Sequence, residues 1–270
     1  MTLVVESLID VGPGKIQVDS AGAGPGFVIL HSLLTGPEAF DEVASSLSRD
    51  LTVHRVYLPG FGGSTPLPFP EPSVADLAEV VATAMERLGC DTDTTVLGNG
   101  LGSFVALTLA IGHGERFDRL VVCNTGPGFP DDRKGTFFTM SELATAGGMA
   151  AVADVALPRI FPSSYLEAHP RAEAERRAVL EEIDPLAFAA SCRALARLDL
   201  GDHLAGIANP TAVVIGAIDQ TTPPELGLAV AGAIPEAISV EIPGCGHCPQ
   251  LEKPGELMAA IETFLSDRAA

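Results

Sequence analysis

The sequence has 270 residues, 47% of them hydrophobic, which suits one large domain or one domain that carries an inserted cap. Its formal net charge of −19 argues against nucleic acids and anionic membranes as partners, because like charges repel. We therefore expect a small-molecule substrate, no nucleic acid and no membrane, and a monomer or homodimer.

The ends and the cysteines predict a cytoplasmic location. The first residues lack the basic region and long apolar run of a signal peptide. No uncharged apolar stretch reaches the length of a membrane span. The 5 cysteines are odd in number and scattered, which indicates reduced thiols.

Short apolar runs predict strands, and 3.6-residue periodicity predicts helices. The chain opens with a predicted hairpin from residues 2–8 and 15–20. Up to residue 124, strands are predicted over 26–31, 51–57, 94–97 and 120–124, and helices over 37–47, 73–88 and 101–111.

The alternation stops near residue 129. Residues 129–205 are mostly helical in pattern, with expected breaks at Pro158, Pro162, Pro170 and Pro185. The alternation of strands and helices resumes after residue 205, with strands over 211–215 and 238–242 and helices over 225–233 and 256–264. This order predicts an α/β fold with a mostly parallel sheet. Residues 1–128 and 206–270 form its core, and 129–205 form a helical cap over the strand ends that bind ligands.

Residues 95–103 read Thr-Val-Leu-Gly-Asn-Gly-Leu-Gly-Ser. This is the strand–turn–helix pattern of a nucleophile elbow, Gly-x-Ser-x-Gly, with Gly100 in place of the serine. Two later strands are followed by Gly-Ala-Ile-Asp, which ends at Asp219, and by Gly-Cys-Gly-His, which ends at His247. Ser103 lies one turn into the helix and is interpreted as a small packing residue.

With these motifs, the chain resembles the α/β-hydrolase superfamily from about residue 25 to 268. The segment His31-Ser32-Leu33-Leu34 is similar to the oxyanion-loop motif, in which a glycine usually follows the histidine. Residues 58–64 are similar to the turn that comes next in the family. An aspartate commonly precedes that turn, and in this chain the residue there is Tyr57. Residues 148–154 and 183–188 resemble the cap of 3-oxoadipate enol-lactonases. The resemblance implies the α/β-hydrolase fold, a mostly parallel sheet with helices on both faces and an inserted helical cap.

The same resemblance implies the site. His247 is the expected base, Asp219 its acid partner, and Gly100 the vacant nucleophile position. The backbone N–H groups of Leu33 and Leu101 are the expected oxyanion hole. Candidate substrate contacts are His31, Ser32, Arg159 and Arg193.

Other chemistries are less well supported. The acidic pairs 131–132 and 181–182 have no His or Cys at metal spacing, so we expect no metal and no cofactor. The glycines of 98–103 lack the last residue of a dinucleotide fingerprint. The Cys-x-x-Cys at 245–248 lies in a late loop, whereas redox motifs open an early helix.

Three functions stay open at this point. The first is a nucleophile-deleted hydrolase of lactones, esters or C–C bonds. The second is a serine-less enzyme, in which His247 deprotonates a water above Gly100 or the substrate itself, as lyase, cyclase, decarboxylation or oxygenation chemistry requires. The third is a non-catalytic binding protein, against which the retained Asp219 and His247 weigh.

Overall fold

A central eight-stranded sheet organises the protein, whose computed structural model describes residues 4–266. The strands are β1 (Val5–Asp10), β2 (Lys15–Ala21), β3 (Gly26–Leu30), β4 (Thr52–Val56), β5 (Thr95–Asn99), β6 (Arg119–Cys123), β7 (Thr211–Gly216) and β8 (Ile238–Ile242). Their order across the sheet is β1-β2-β4-β3-β5-β6-β7-β8. The strand β2 pairs antiparallel with β1 and β4, and the other neighbours pair in parallel.

The central strands are continuous apolar runs because both faces of the sheet are covered. Every residue of β5, β6 and β7 is buried. The helices are α1 (Asp41–Leu47), α2 (Val74–Leu88), α3 (Leu101–His113), α4 (Asp131–Ile160), α5 (Ser163–Ala168), α6 (Ala172–Glu181), α7 (Pro185–Arg197), α8 (Pro224–Ala233), α9 (Pro249–Glu252) and α10 (Pro254–Ser266). This architecture confirms the predicted α/β fold class.

Four consecutive helices, α4 to α7, lie between β6 and β7, where the sequence predicts a helical block. Within it α4 packs against α6 and α7. The break expected at Pro158 is wrong, because α4 continues to Ile160. Proline removes one backbone hydrogen bond and kinks a helix without having to end it. The helical angles are instead interrupted at Gly148, whose φ of 71° is in the left-handed region that favours glycine.

Several element boundaries differ from the sequence prediction. The helix expected over 37–47 begins as a 3₁₀ turn, Pro37–Phe40, before α1. The first strand runs to Asp10 rather than ending at residue 8, and the predicted residues 2 and 3 lie outside the described part. The capping prediction at Ser73 is confirmed, since its Oγ accepts the N–H of Asp76 in a capping box. None of the helices described between residues 4 and 266 is long and apolar enough to cross a membrane.

Candidate active site

The predicted functional residues converge where parallel strands end. Gly100 follows β5, and Ser32 comes two residues after β3. Asp219 follows β7 by three residues, and His247 follows the neighbouring strand β8 by five. Carboxyl ends of parallel strands share one edge of a sheet, which is where such folds bind ligands. The structure therefore brings these four residues into one place.

His247 and Asp219 form a buried hydrogen-bonded pair. The Nδ1 of His247 lies 2.8 Å from Oδ2 of Asp219, and the two side chains are 3% and 0% exposed. Asp219 also accepts the hydroxyl of Thr222 at 2.6 Å and the backbone N–H groups of Thr221 and Thr222. An ionised carboxylate only accepts, so Nδ1 carries the proton and the Nε2 lone pair faces the pocket that His247 lines.

Burial and charge act in opposite directions on this pair. Burial alone would lower the pKa of His247, but the charge and hydrogen bond of Asp219 outweigh it and raise that pKa above 6.5. Burial alone would raise the pKa of Asp219, whereas His247, Thr222 and Thr221 hold it below its ordinary value. The arrangement thus favours a charged Asp219 and makes His247 a stronger base than a free imidazole.

The loop that carries His247 is fixed by polar side chains that the sequence reasoning missed. Glu252 accepts the backbone N–H groups on both sides of His247, from Gly246 at 2.6 Å and Cys248 at 2.9 Å. Asn99 donates to the carbonyl of His247 at 3.1 Å. Asn124, whose φ is 51°, donates to the carbonyl of Gly246 at 2.9 Å. Each asparagine comes at the end of an apolar strand, and this position is the sequence signal that could have identified both as functional residues.

Gly100 occupies the sharp turn between β5 and α3, with φ 53° and ψ −118°. A side chain there would meet two groups of the site. A Cβ atom on residue 100 would lie 3.0 Å from Nε2 of His247 and would overlap Oγ of Ser32. Ser103, one turn into α3, donates its hydroxyl to the carbonyl of Gly100 at 2.7 Å and so supports the turn.

Ser32 lies beside the open nitrogen of His247. Its Oγ is 3.5 Å from Nε2, the residue is 1% exposed, and it lines the pocket together with Gly100. The preceding residue, His31, does not line the pocket. It instead links the loop after β3 to the backbone of Leu58 through hydrogen bonds of its ring. Its Nε2 accepts the N–H of Leu58 at 3.0 Å, so its Nδ1 carries the proton and donates to the carbonyl of Ser32 at 2.9 Å.

We predict that His31→Ala lowers the free energy of unfolding by about 3 kcal/mol, because the buried N–H of Leu58 loses its partner and the carbonyl of Ser32 is left with the N–H of Thr35 alone. Burial lowers the pKa of His31, so the wild-type ring is neutral and its loss removes no charge. The measurement is equilibrium urea denaturation. His113→Ala is the control, since His113 pairs with the exposed Glu79 and should change stability by under about 0.5 kcal/mol. If both substitutions changed the free energy of unfolding equally, the structural role assigned to the two hydrogen bonds of His31 would be wrong.

Two residues predicted to supply backbone donors, Leu33 and Leu101, lie at the same pocket. The carbonyl of Ser32 faces His31, so the N–H of Leu33 on the same trans peptide points away from His31. Leu101 is the first residue of α3, and such an N–H has no partner within its helix. Both residues line the pocket. The two predicted oxyanion-hole residues are therefore brought to one pocket, and the N-terminus of α3 adds a positive potential there.

Gly100 lines a pocket whose cavity volume is about 40 Å³. Its walls are mainly apolar and come largely from the segment between β6 and β7 and the start of α3, namely Phe104, Phe129, Phe137, Met140 and Leu195. Arg133 and Arg159 add positive charge, and neither forms an ion pair with a carboxylate within residues 4–266.

Arg193 is not among the pocket residues. Its guanidinium donates to Glu71 at 2.9 Å, to the carbonyl of Pro70 at 3.0 Å and to Ser141 at 2.7 Å. The bonds to Glu71 and Pro70 attach α7 to the loop that precedes α2, and the bond to Ser141 attaches α7 to α4. The structure therefore brings one of the two predicted arginines, Arg159, to the pocket and uses the other, Arg193, between elements.

The fold and this site agree with a known family. The model of the alpha/beta hydrolase family matches residues 27–261. The chain belongs to this family. It is accordingly a hydrolase-family enzyme, which confirms the superfamily resemblance of the sequence motifs.

Named relatives of this hydrolase are esterases and related enzymes. A pimeloyl-[acyl-carrier protein] methyl ester esterase of Aromatoleum aromaticum is 28% identical over 258 residues, which cover 88% of this chain and 97% of the relative. A putative carbamate hydrolase, RutD, of a Caulobacter species is 30% identical over 201 residues, which cover 73% of this chain and 74% of the relative.

A solved structure extends the comparison to lactonases. The enol-lactonase of Burkholderia xenovorans LB400 superimposes with a TM-score of 0.90 at 26% identity, covering 96% of this hydrolase and all of that chain. The likeness to enol-lactonases seen in two short sequence stretches therefore extends to a structural neighbour over nearly the whole chain.

Proposed function

We propose that this hydrolase cleaves small carboxylic esters or lactones, with His247 as the general base and Asp219 as its partner. The observation that carries the proposal is the Nε2 atom of His247, open to an apolar pocket while Nδ1 is bonded to Asp219 at 2.8 Å. The esterase and enol-lactonase names of the relatives support this substrate class.

Gly100 stands at the position that the elbow pattern reserves for the nucleophile, and it has no atom that can attack. The remaining parts of acyl-transfer chemistry are supplied by backbone and base. In the proposed reaction the N–H groups of Leu33 and Leu101 stabilise the oxyanion, because backbone donors do not depend on side-chain identity. His247 accepts the proton of whichever oxygen attacks.

Residues 129–205 are proposed to act as a cap on a catalytic core formed by residues 1–128 and 206–270. Phe129, Phe137 and Leu195 of this segment line the same pocket as His247. Apolar walls exclude water and strengthen electrostatic interactions in the site.

Arg133 and Arg159 favour a substrate that also carries a carboxylate. Arg159 lines the pocket without an ion-pair partner in the described part of the chain, and Arg133 donates to the carbonyl of Gln220 at 3.2 Å. Guanidinium groups bind carboxylates through charge-assisted hydrogen bonds.

The direct test is a substrate panel. Purified protein is assayed with p-nitrophenyl acetate, the monomethyl ester of a short dicarboxylic acid, and an enol-lactone, each against buffer alone. We expect hydrolysis of at least one ester or lactone well above the buffer rate. Failure with all three substrates would contradict the proposed substrate class.

Hydrolysis is predicted to show an acid limb whose midpoint lies above pH 6.5. His247 must be neutral to accept a proton, and Asp219 raises its pKa, so activity is lost as pH falls through that raised value. In Asp219→Asn the charge that chiefly raises this pKa is gone, while burial and Arg159 still lower it and only Glu252 still raises it, so the midpoint should move below that of wild type. The measurement is kcat/KM between pH 5 and 9. An unmoved midpoint would contradict the pairing.

Arg159→Ala is predicted to raise KM for the monomethyl dicarboxylate about tenfold or more and to leave KM for p-nitrophenyl acetate within about twofold. A hydrogen bond to a charged group contributes about 1.5–3 kcal/mol, which a neutral ester does not use. Arg193→Ala is the matched control, because Arg193 pairs with Glu71 outside the pocket. Equal KM changes for both substrates would show that Arg159 does not read the carboxylate.

A further inference from the structure

The geometry points to Ser32 as the nucleophile of this hydrolase. This inference rests on the proposed function and deepens it, by naming the oxygen that His247 activates. In this protein the serine stands on the loop after β3 rather than on the turn after β5. Asp219, His247 and the two backbone donors keep their places.

Position is the first argument. Oγ of Ser32 occupies the volume that a side chain on residue 100 would need, since a Cβ atom there would overlap it. The same hypothetical Cβ lies 3.0 Å from Nε2 of His247. The Ser32 oxygen is itself 3.5 Å from that nitrogen, and apo sites often hold such a bond long before substrate tightens it. A glycine at 100 and a serine at 32 are therefore spatially complementary.

The surroundings of the hydroxyl are the second argument. Within residues 4–266, the only protein group to which Oγ of Ser32 hydrogen-bonds is His247. The backbone of Ser32 is held through its carbonyl by His31 at 2.9 Å. Within residues 4–266 the non-glycine residues with a left-handed φ are Asn124 and Glu236, so Ser32 does not adopt that conformation. A fixed serine whose hydroxyl faces a carboxylate-backed histidine meets the requirement for nucleophilic activation.

The oxyanion donors fit the relocated serine as well. In an elbow, one donor is the N–H of the residue after the nucleophile. Leu33 is the residue after Ser32, and its N–H points away from the His31 clamp. Leu101 supplies the second donor from the start of α3. In this inference the serine lies on the loop after β3 instead of the turn after β5, and the same two N–H groups stabilise the oxyanion.

The reaction balances with water as the only co-substrate. Oγ of Ser32 forms a bond to the carbonyl carbon as its proton moves to Nε2 of His247, and the carbonyl π electrons pass to the oxyanion. The oxyanion collapses, the C–O bond to the alcohol breaks, and the alcohol takes the proton from His247. Water then attacks the acyl-Ser32 ester, with its proton passing to His247 and on to Oγ of Ser32 as the acid leaves.

The decisive experiment is covalent labelling with a fluorophosphonate, followed by tryptic peptide mass spectrometry. Cleavage after Lys15 and Arg49 places Ser32 in peptide 16–49, whereas Gly100 and Ser103 lie in peptide 88–116. We expect one phosphonate per chain, on Ser32, and no label in His247→Ala. Label on Ser103, or no label on folded protein, would overturn the inference.

Two variants add a kinetic test. Ser32→Ala should abolish labelling and lower kcat at least about a hundredfold, while Ser45→Ala, an exposed serine on the same peptide, should change neither. Hydrolysis by Ser32→Ala within a few-fold of wild type and still dependent on His247 would overturn the inference and leave water as the attacking oxygen. The proposed function would stand in that case.

A cysteine variant separates chemistry from folding. Ser32→Cys should react with iodoacetamide faster than Ser32→Cys/His247→Ala, because a neighbouring histidine increases thiolate character. Equal rates would overturn the inference even if Ser32→Ala proved unstable. If no ester or lactone is hydrolysed, the proposed function fails, and the labelling result still decides whether Ser32 is activated.

Discussion

His247→Ala is expected to lower kcat/KM for the best ester or lactone by about a thousandfold or more. Removing a general base costs about 10²–10⁴ in rate, and removing the histidine of a serine triad costs up to about 10⁶. The expectation holds whether the attacking oxygen belongs to Ser32 or to water, because either must lose a proton to Nε2. Initial rates at a pH above the acid limb provide the measurement.

A second buried histidine provides the control for this variant. His54 on β4 is 6% exposed and its Nδ1 lies 2.8 Å from Oγ of Ser20, outside the pocket. His54→Ala should lower the melting temperature but leave kcat/KM of the folded protein within about threefold. If His247→Ala lost no more activity than His54→Ala, the base assigned here would be wrong.

The central sheet and the buried pair could be predicted because both follow from local pattern. The runs over 26–31 and 211–215 are apolar and short, and such runs form buried parallel strands. Asp219 and His247 then meet because the strands before them are neighbours in the sheet. A motif at the end of each strand was enough to bring them together.

Features that depend on packing between distant segments could not be predicted. Whether an arginine of α4 or α7 faces the pocket depends on how those helices rest on the core, and the sequence reasoning named Arg193 where the structure has Arg133. Ser32 and His247 are 215 positions apart. In the sequence, Ser32 is only a serine where the family usually has glycine. That its side chain fills the space next to Gly100 becomes visible only in the folded structure, where the two loops lie side by side.

The largest effect beyond loss of the base is expected from moving the serine back to the turn after β5. Gly100→Ser alone should be poorly active, because its Cβ would overlap Oγ of Ser32 and displace it from His247. It should also lose about 1–3 kcal/mol in free energy of unfolding, the strain of a non-glycine residue at φ 53°. Ser32→Gly alone should lose labelling and most turnover. The double variant Ser32→Gly/Gly100→Ser removes the overlap and places a hydroxyl beside Nε2 of His247.

The double variant should therefore exceed each single variant in kcat/KM by at least about tenfold, and its phosphonate label should move from peptide 16–49 to peptide 88–116. Such non-additivity is the signature of two residues that share one space, since distant substitutions add. If Gly100→Ser alone matched the double variant, the two serines would not compete, and the complementarity would carry no function. If the double variant regained activity and the label moved, the site would accept its nucleophile from either loop, with His247, Asp219 and the backbone donors unchanged.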